Sequence, residues 1–173
     1  MDLLSEISDH PEVTALCFRI VAAVCKENGT NASAFGAGGI CELLCEDMVR
    51  FNDDNEVSET CCNMAAQLLS QETNLNKLVS LQVAQLLINI CKTHSDNSTI
   101  CEIAFKCIML IPSEKDSFLC DNGASEVLST ALDVMNRHST EVSIVEVSLK
   151  LLCYLIAVDS NRKTIAKSIE SGT

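Results

Sequence analysis

The sequence predicts an all-α protein built as a helical solenoid, and three observations predict it. The chain echoes itself every 43 to 44 residues. Within each echo the apolar residues recur at three- and four-residue steps, the stripe of a 3.6-residue helix and not the alternation of a strand. Apolar residues make up 47% of the chain while aromatics make up 3% and tryptophan is absent, which suits close helix stacking over Leu, Ile, Val, Ala and Cys. A unit of this length cannot bury its own apolar face and must stack on its neighbours.

The longest element comes first. A helix opens at Pro11, where the missing N–H costs nothing. It carries Ala15 and Arg19, a degenerate copy of a four-residue anchor that returns as Glu59/Asn63, Glu102/Lys106 and Glu146/Lys150. The spacings from Arg19 through Asn63 and Lys106 to Lys150 are 44, 43 and 44. Six residues before each anchor stand Val13, Val57, Ile100 and Ile144; five after stand Val24, Leu68, Ile111 and Leu155. These are four copies of one amphipathic helix.

A medium helix precedes three of the copies, beginning at Ile40, Val83 and Ala124. Gly39 and Gly123 stand before it in two units, where a sharp turn needs a residue without a Cβ. Upstream of each lies a short apolar stub: Phe35 after Asn31, Leu78 after Asn74, Leu119 after Lys115. Asn161-Arg162-Lys163-Thr164-Ile165 begins the stub again. Pro112 marks a stop or kink after the third long helix. One repeat domain over 1–173 results, with approximate units 1–30 (partial), 31–73, 74–114, 115–160 and 161–173 (partial). Only Met1 to Ile7 stand before the first long helix, and the last unit stops after its stub. Open ends of this kind predict a longer array, a partner over one end, or self-association.

This pattern resembles the armadillo repeat, which has three helices per unit at a similar period. The motifs that carry the resemblance are Asn31…Phe35…Gly39-Ile40, Phe118-Leu119…Gly123-Ala124 and the run from Asn161 to Ser168. HEAT-like helix pairs are the alternative, and the recurring short helix favours armadillo. The resemblance implies a right-handed α-solenoid of about four units whose third helices line a concave groove. It therefore implies that Arg19, Asn63, Lys106 and Lys150 point into that groove, flanked by Glu59, Glu102 and Glu146 one turn back and by Gln67 and Tyr154 one turn on. Importin-alpha-like members carry a Trp…Asn pair on each groove helix. Here the Trp positions are Arg19, Asn63, Lys106 and Lys150 and the Asn positions Ala23, Gln67, Leu110 and Tyr154, so a nuclear-import receptor is disfavoured. The long basic groove of beta-catenin-like members is also missing.

A structural role competes for the same residues. Thr99-x-x-Glu102 and Ser143-x-x-Glu146 have the form of capping boxes. Glu102–Lys106 and Glu146–Lys150 are also favourable i,i+4 pairs, about 0.2–0.5 kcal/mol each.

Charge is the strongly uneven property. Residues 1 to 73 hold 3 basic against 13 acidic side chains; residues 74 to 173 hold 9 against 11. Such a front half repels phosphates, which argues against nucleic acid, and it favours partners with basic segments. Acids cluster at Glu42/Glu46/Asp47 and Asp53/Asp54/Glu56/Glu59.

The 11 cysteines fall mostly inside helices, and Cys17, Cys25, Cys41, Cys62, Cys107, Cys120 and Cys153 are expected at or near the core. Acids at Asp2 and Glu6 stand where a signal peptide has basic residues. A reducing cytosol or nucleus is the expected compartment, with cysteine acting as a small hydrophobe. No run is long enough to span a membrane. No Cys-x-x-Cys occurs, and Cys41…Cys45 and Cys61-Cys62 fall within helices, so neither metal nor cofactor is expected. His10, His94 and His138 are expected as loop residues along one edge. With no glycine-rich phosphate loop and no nucleophile elbow, the chain is expected to be a non-enzymatic scaffold or adaptor. The alternative is a structural subunit of a cytoskeletal or ciliary assembly.

Overall fold

A computed structural model describes residues 10–120, 123–158, 161–163 and 166. These residues are all-helical, with ten α-helices, one 3-10 turn and no strand among them. The helices are α1 (Pro11–Cys25), α2 (Gly29–Ala37), α3 (Ile40–Arg50), α4 (Asn55–Leu69), α5 (Glu72–Ser80), α6 (Val83–Thr93), α7 (Ser98–Met109), α8 (Ser117–Cys120), α9 (Gly123–Arg137) and α10 (Val142–Ile156). The 3-10 turn, Ser113–Lys115, precedes α8. The residues before His10, and Thr164 and Ile165 of the expected fifth stub, lie outside the described residues.

Local chemistry sets the helix starts. Pro11 opens α1. Asn28, Asp54 and Asn97 cap α2, α4 and α7, each side-chain oxygen accepting from the N–H three residues on. The expected capping boxes do not form. Asn97 and Glu141 occupy the cap positions, so Thr99 and Ser143 already lie inside their helices.

The turn into the medium helix differs between units. Gly39 takes φ 97°, which glycine permits without a Cβ penalty. The same place in the next unit holds Gln82, at φ 59°. At Gly123 the reason is space, because a Cβ there would lie 2.3 Å from Phe118. The third medium helix, α9, also departs from the expected shorter length: it spans 15 residues, as many as α10. Its preceding stub is split into the 3-10 turn and the four residues of α8, because Asp116 between them takes an extended backbone and its Oδ1 accepts from the N–H groups of Phe118 and Leu119.

Packing joins like to like. Helix α1 lies against α4, α4 against α7, and α7 against α10. The medium helices follow suit, α3 on α6 and α6 on α9, and the short helix α2 packs on α5. One connected core results, filled by side chains such as Leu44, Leu68, Leu87, Phe105, Ile108 and Leu155. Burying one such side chain stabilises the fold by roughly 1.5–3 kcal/mol.

Cysteine contributes more to this core than its positions in the sequence suggest. Cys25, Cys41, Cys45, Cys61, Cys62, Cys91, Cys101 and Cys107 are buried. Cys153, expected in the core, is exposed, and Cys17 and Cys120 are half-buried. Cys153 shares its side of α10 with the exposed Leu149 and Ile156, three to four residues away on the same helix face.

Polar clamps tie the units together. Asn74 Nδ2 donates to the Ala32 carbonyl at 2.8 Å and Asn161 Nδ2 to the Leu119 carbonyl at 2.8 Å, each reaching 42 residues back. His94 is buried, and its Nε2 lies 2.7 Å from the Asn52 carbonyl. His138 repeats the contact on the Ser95 carbonyl at 2.9 Å. These two histidines are therefore joints between units, and not merely loop residues on an edge.

Candidate functional site

The expected stripe runs along α1, α4, α7 and α10. Arg19, Asn63, Lys106, Glu146 and Lys150 are exposed or nearly so; Glu59, Gln67, Glu102 and Tyr154 are half-buried. Periodicity places them so: each anchor lies on the helix side opposite the buried residues that close the core.

Partners differ along the row. Lys106 Nζ donates to Glu102 at 2.6 Å, and Lys150 to Glu146 at 2.6 Å, both within one helix. These contacts hold both carboxyls below their usual range. Ser143 of α10 also bonds to Glu102 of α7, and Glu146 feels Glu102 and Lys106 across the gap. The anchors of α7 and α10 thus form one patch. Arg19 reaches forward to Glu56 of α4, not to Glu59. Asn63 Nδ2 bonds back to the Glu59 carbonyl at 3.1 Å. Tyr154 donates its hydroxyl to the Ile111 carbonyl, and burial raises its pKa. Tyr154 is therefore tied to the framework and offers a ring edge, not a free hydroxyl.

This row has a mixed charge that is largely neutralised within itself. Exposed ion pairs of this kind contribute about 0–1 kcal/mol each, so a competing ligand charge replaces them at little cost. Its chemistry is that of reversible polar contact, with no nucleophile–base pair in it. Among the described residues no group of three or more His, Cys, Asp or Glu side chains is placed to hold a metal ion.

A second surface was not legible as a motif. A groove of about 720 Å³ lies between α1, α2 and α3, floored by Phe18, Val21, Phe35, Ile40 and Leu43. The half-buried thiol of Cys17 opens into it, and Glu42 and Glu46 stand on its α3 wall. Lys77 of α5 holds Glu42 Oε1 at 2.6 Å, while Glu42 Oε2 is buried without a hydrogen-bond partner. The lysine contact keeps the Glu42 carboxyl ionised, below its usual range. Beside the groove α1 exposes Leu16 and Ile20, at 53% and 63%.

No helix among the described residues is long and apolar enough to cross a membrane. Comparison of the chain with protein-family models, curated proteins and solved structures gives no match in any of the three.

Proposed function

We propose that this chain is an armadillo-like α-solenoid that works as a non-enzymatic scaffold, holding a segment of another protein along its row of long helices. The observation that carries the reading is the continuity of the polar row across α7 and α10, where Ser143 meets Glu102 and Glu146 lies in the field of Lys106. Long helices packed like to like support the solenoid reading. An extended segment crossing the row would meet a lysine and a glutamate from each of these two helices and exchange the i,i+4 pairs for its own contacts.

The test is partner capture from source cells by wild type and by Lys106→Glu/Lys150→Glu, with circular dichroism confirming that the variant keeps its helix content. Loss of a specific partner is the expected result. An unchanged partner set overturns the role of the row.

A second reading, a fixed subunit of a larger assembly, is favoured by one observation. Helix α10 exposes Val142, Leu149 and Ile156, with Val142 at 79%. If that face docks permanently, Leu149→Lys releases the chain from its assembly while Lys106→Glu/Lys150→Glu does not.

A further inference from the structure

The groove between α1, α2 and α3 has a counterpart in each of the next two units, and there it is filled. Helix α3 lies against α4, α5 and α6; α6 lies against α7, α8 and α9. A medium helix therefore seats on a surface made by one long, one short and one medium helix. Helices α1, α2 and α3 make the same kind of surface. Moving one period along the chain carries Cys17, Phe18 and Val21 onto Cys61, Cys62 and Ala65, and Phe35 and Ile40 onto Leu78 and Val83. All five of those counterparts are fully buried. The positions that close over a helix in the second unit line an open groove in the first.

Charge distinguishes the two seats. Glu42 and Glu46 stand one turn apart on the α3 wall, while the same positions of α6 hold Gln85 and Asn89, uncharged and hydrogen-bonded to each other at 3.2 Å. Glu42 keeps a buried oxygen without a partner. Glu46 is exposed, beside a front half that holds 13 acids against 3 bases.

We propose that this groove docks a basic amphipathic α-helix from a partner protein, seated as α3 and α6 seat on the units that follow them. The apolar pattern of the incoming helix is the one those two helices use. Ile40, Cys41, Leu44, Cys45 and Met48 in α3, and Val83, Ala84, Leu87, Ile88 and Cys91 in α6, are buried, so the spacing is i, i+1, i+4, i+5 and i+8. Two Lys or Arg residues four apart on the flank of that stripe face Glu42 and Glu46, since residues four apart share a helix face. Complementary charge steers the encounter, and the apolar floor supplies most of the affinity. This surface is separate from the polar row of the long helices, so either can fail without the other.

The experiment uses the 173-residue chain and two synthetic fluorescent peptides of about 16 residues, long enough to form a helix when bound. Both carry leucine at the five stripe positions. One has lysines at the two flanking positions and the other has glutamates. Fluorescence anisotropy is expected to show the lysine peptide binding at least tenfold more tightly than the glutamate peptide, with the difference shrinking as salt rises. Glu46→Lys is expected to weaken the lysine peptide about tenfold, and Ala34→Trp, which fills the groove from an exposed position, to abolish binding. Both sites are at the surface, and circular dichroism checks that each variant folds. A chloroacetyl group on the lysine peptide is expected to alkylate Cys17, with loss of chloride, ahead of Cys120 and Cys153.

Equal binding of the two peptides, no binding of either, or binding that survives Ala34→Trp overturns the proposal. So does a dimer in sedimentation that Ala34→Trp dissociates, which gives the groove to a second copy. Peptide binding that appears only after residues 1–9 are removed gives the groove to that segment of the chain, and overturns the proposal equally.

Discussion

Asp47 is a carboxyl in the wrong place for a charge. It is 1% exposed on α3, and its Oδ1 has no hydrogen-bond partner. Burial pushes its pKa up to about 6; Arg50 lowers it and Glu46 adds to the rise. The linkage has a definite sign. An unfolded Asp titrates near 3.9, so between about 4 and 6 the native state keeps a proton that the unfolded chain has lost. Stability from this site is therefore lost as pH rises through that window, and the penalty is complete above it. Asp47→Asn is expected to raise unfolding free energy at pH 8 by roughly 2–3 kcal/mol, and by little at pH 3.5. Urea denaturation of the two proteins at both pH values measures it; a stabilisation independent of pH would assign the effect to something other than charge. In the sequence Asp47 belongs to an acidic cluster with Glu42 and Glu46, which suggests a surface position. One period along stands the buried Ile90, a signal of burial that the run of neighbouring acids outweighs.

At the scale of elements, two positions show how the units join. Gln82 takes a left-handed turn that Gly39 takes freely one unit earlier. Gln82→Gly is expected to stabilise by up to about 1 kcal/mol, because relief of the strained backbone exceeds the entropy that glycine adds to the unfolded chain. A lower thermal midpoint for the variant would show that the glutamine turn carries no strain. Asn74 is buried and donates to the Ala32 carbonyl of the preceding short helix. Asn74→Ala is expected to cost about 1–3 kcal/mol, the penalty for leaving that buried acceptor unpaired. Guanidinium titration reads the loss, and a change within about 0.5 kcal/mol would mean that water replaces the amide freely. Periodicity revealed where such helices start and which residues they bury, because apolar spacing reports directly on a helix face. It did not reveal the capping residues of α7 and α10. A Ser or Thr followed by Glu has the same spelling one position inside a helix as at its cap, and only the backbone tells the two apart.

Across the whole molecule, the sequence exposed the rhythm of the fold and concealed its gaps. A polar residue repeated at helix spacing is visible in a string of letters, so the row from Arg19 to Tyr154 was legible. Its internal neutralisation was legible only in part: the i,i+4 pairs were, but Ser143 on Glu102 and Arg19 on Glu56 bridge different helices. The groove was nearly invisible, since every residue of its floor has the spelling of an ordinary core residue. Its openness depends on what packs beside it, a property of the array and not of any segment.

The buried cysteines impose a condition on how this protein can be handled once it opens. Burial raises the pKa of Cys41 to about 11 and those of Cys45 and Cys107 to about 12, and it holds Cys62 and Cys91 well above their usual range. While the chain is folded these sulfurs are neutral and shielded, and thiol exchange requires the thiolate. Unfolding returns them to an ordinary pKa near about 8.5 and to one another's reach. In air, sulfur bridges are expected to form over the minutes that a heated chain stays unfolded, and denaturation then becomes a one-way event governed by rate. A calorimetric rescan is expected to recover most of the transition with a reductant such as TCEP present and little of it without. Full recovery in air would show that restacking outruns oxidation.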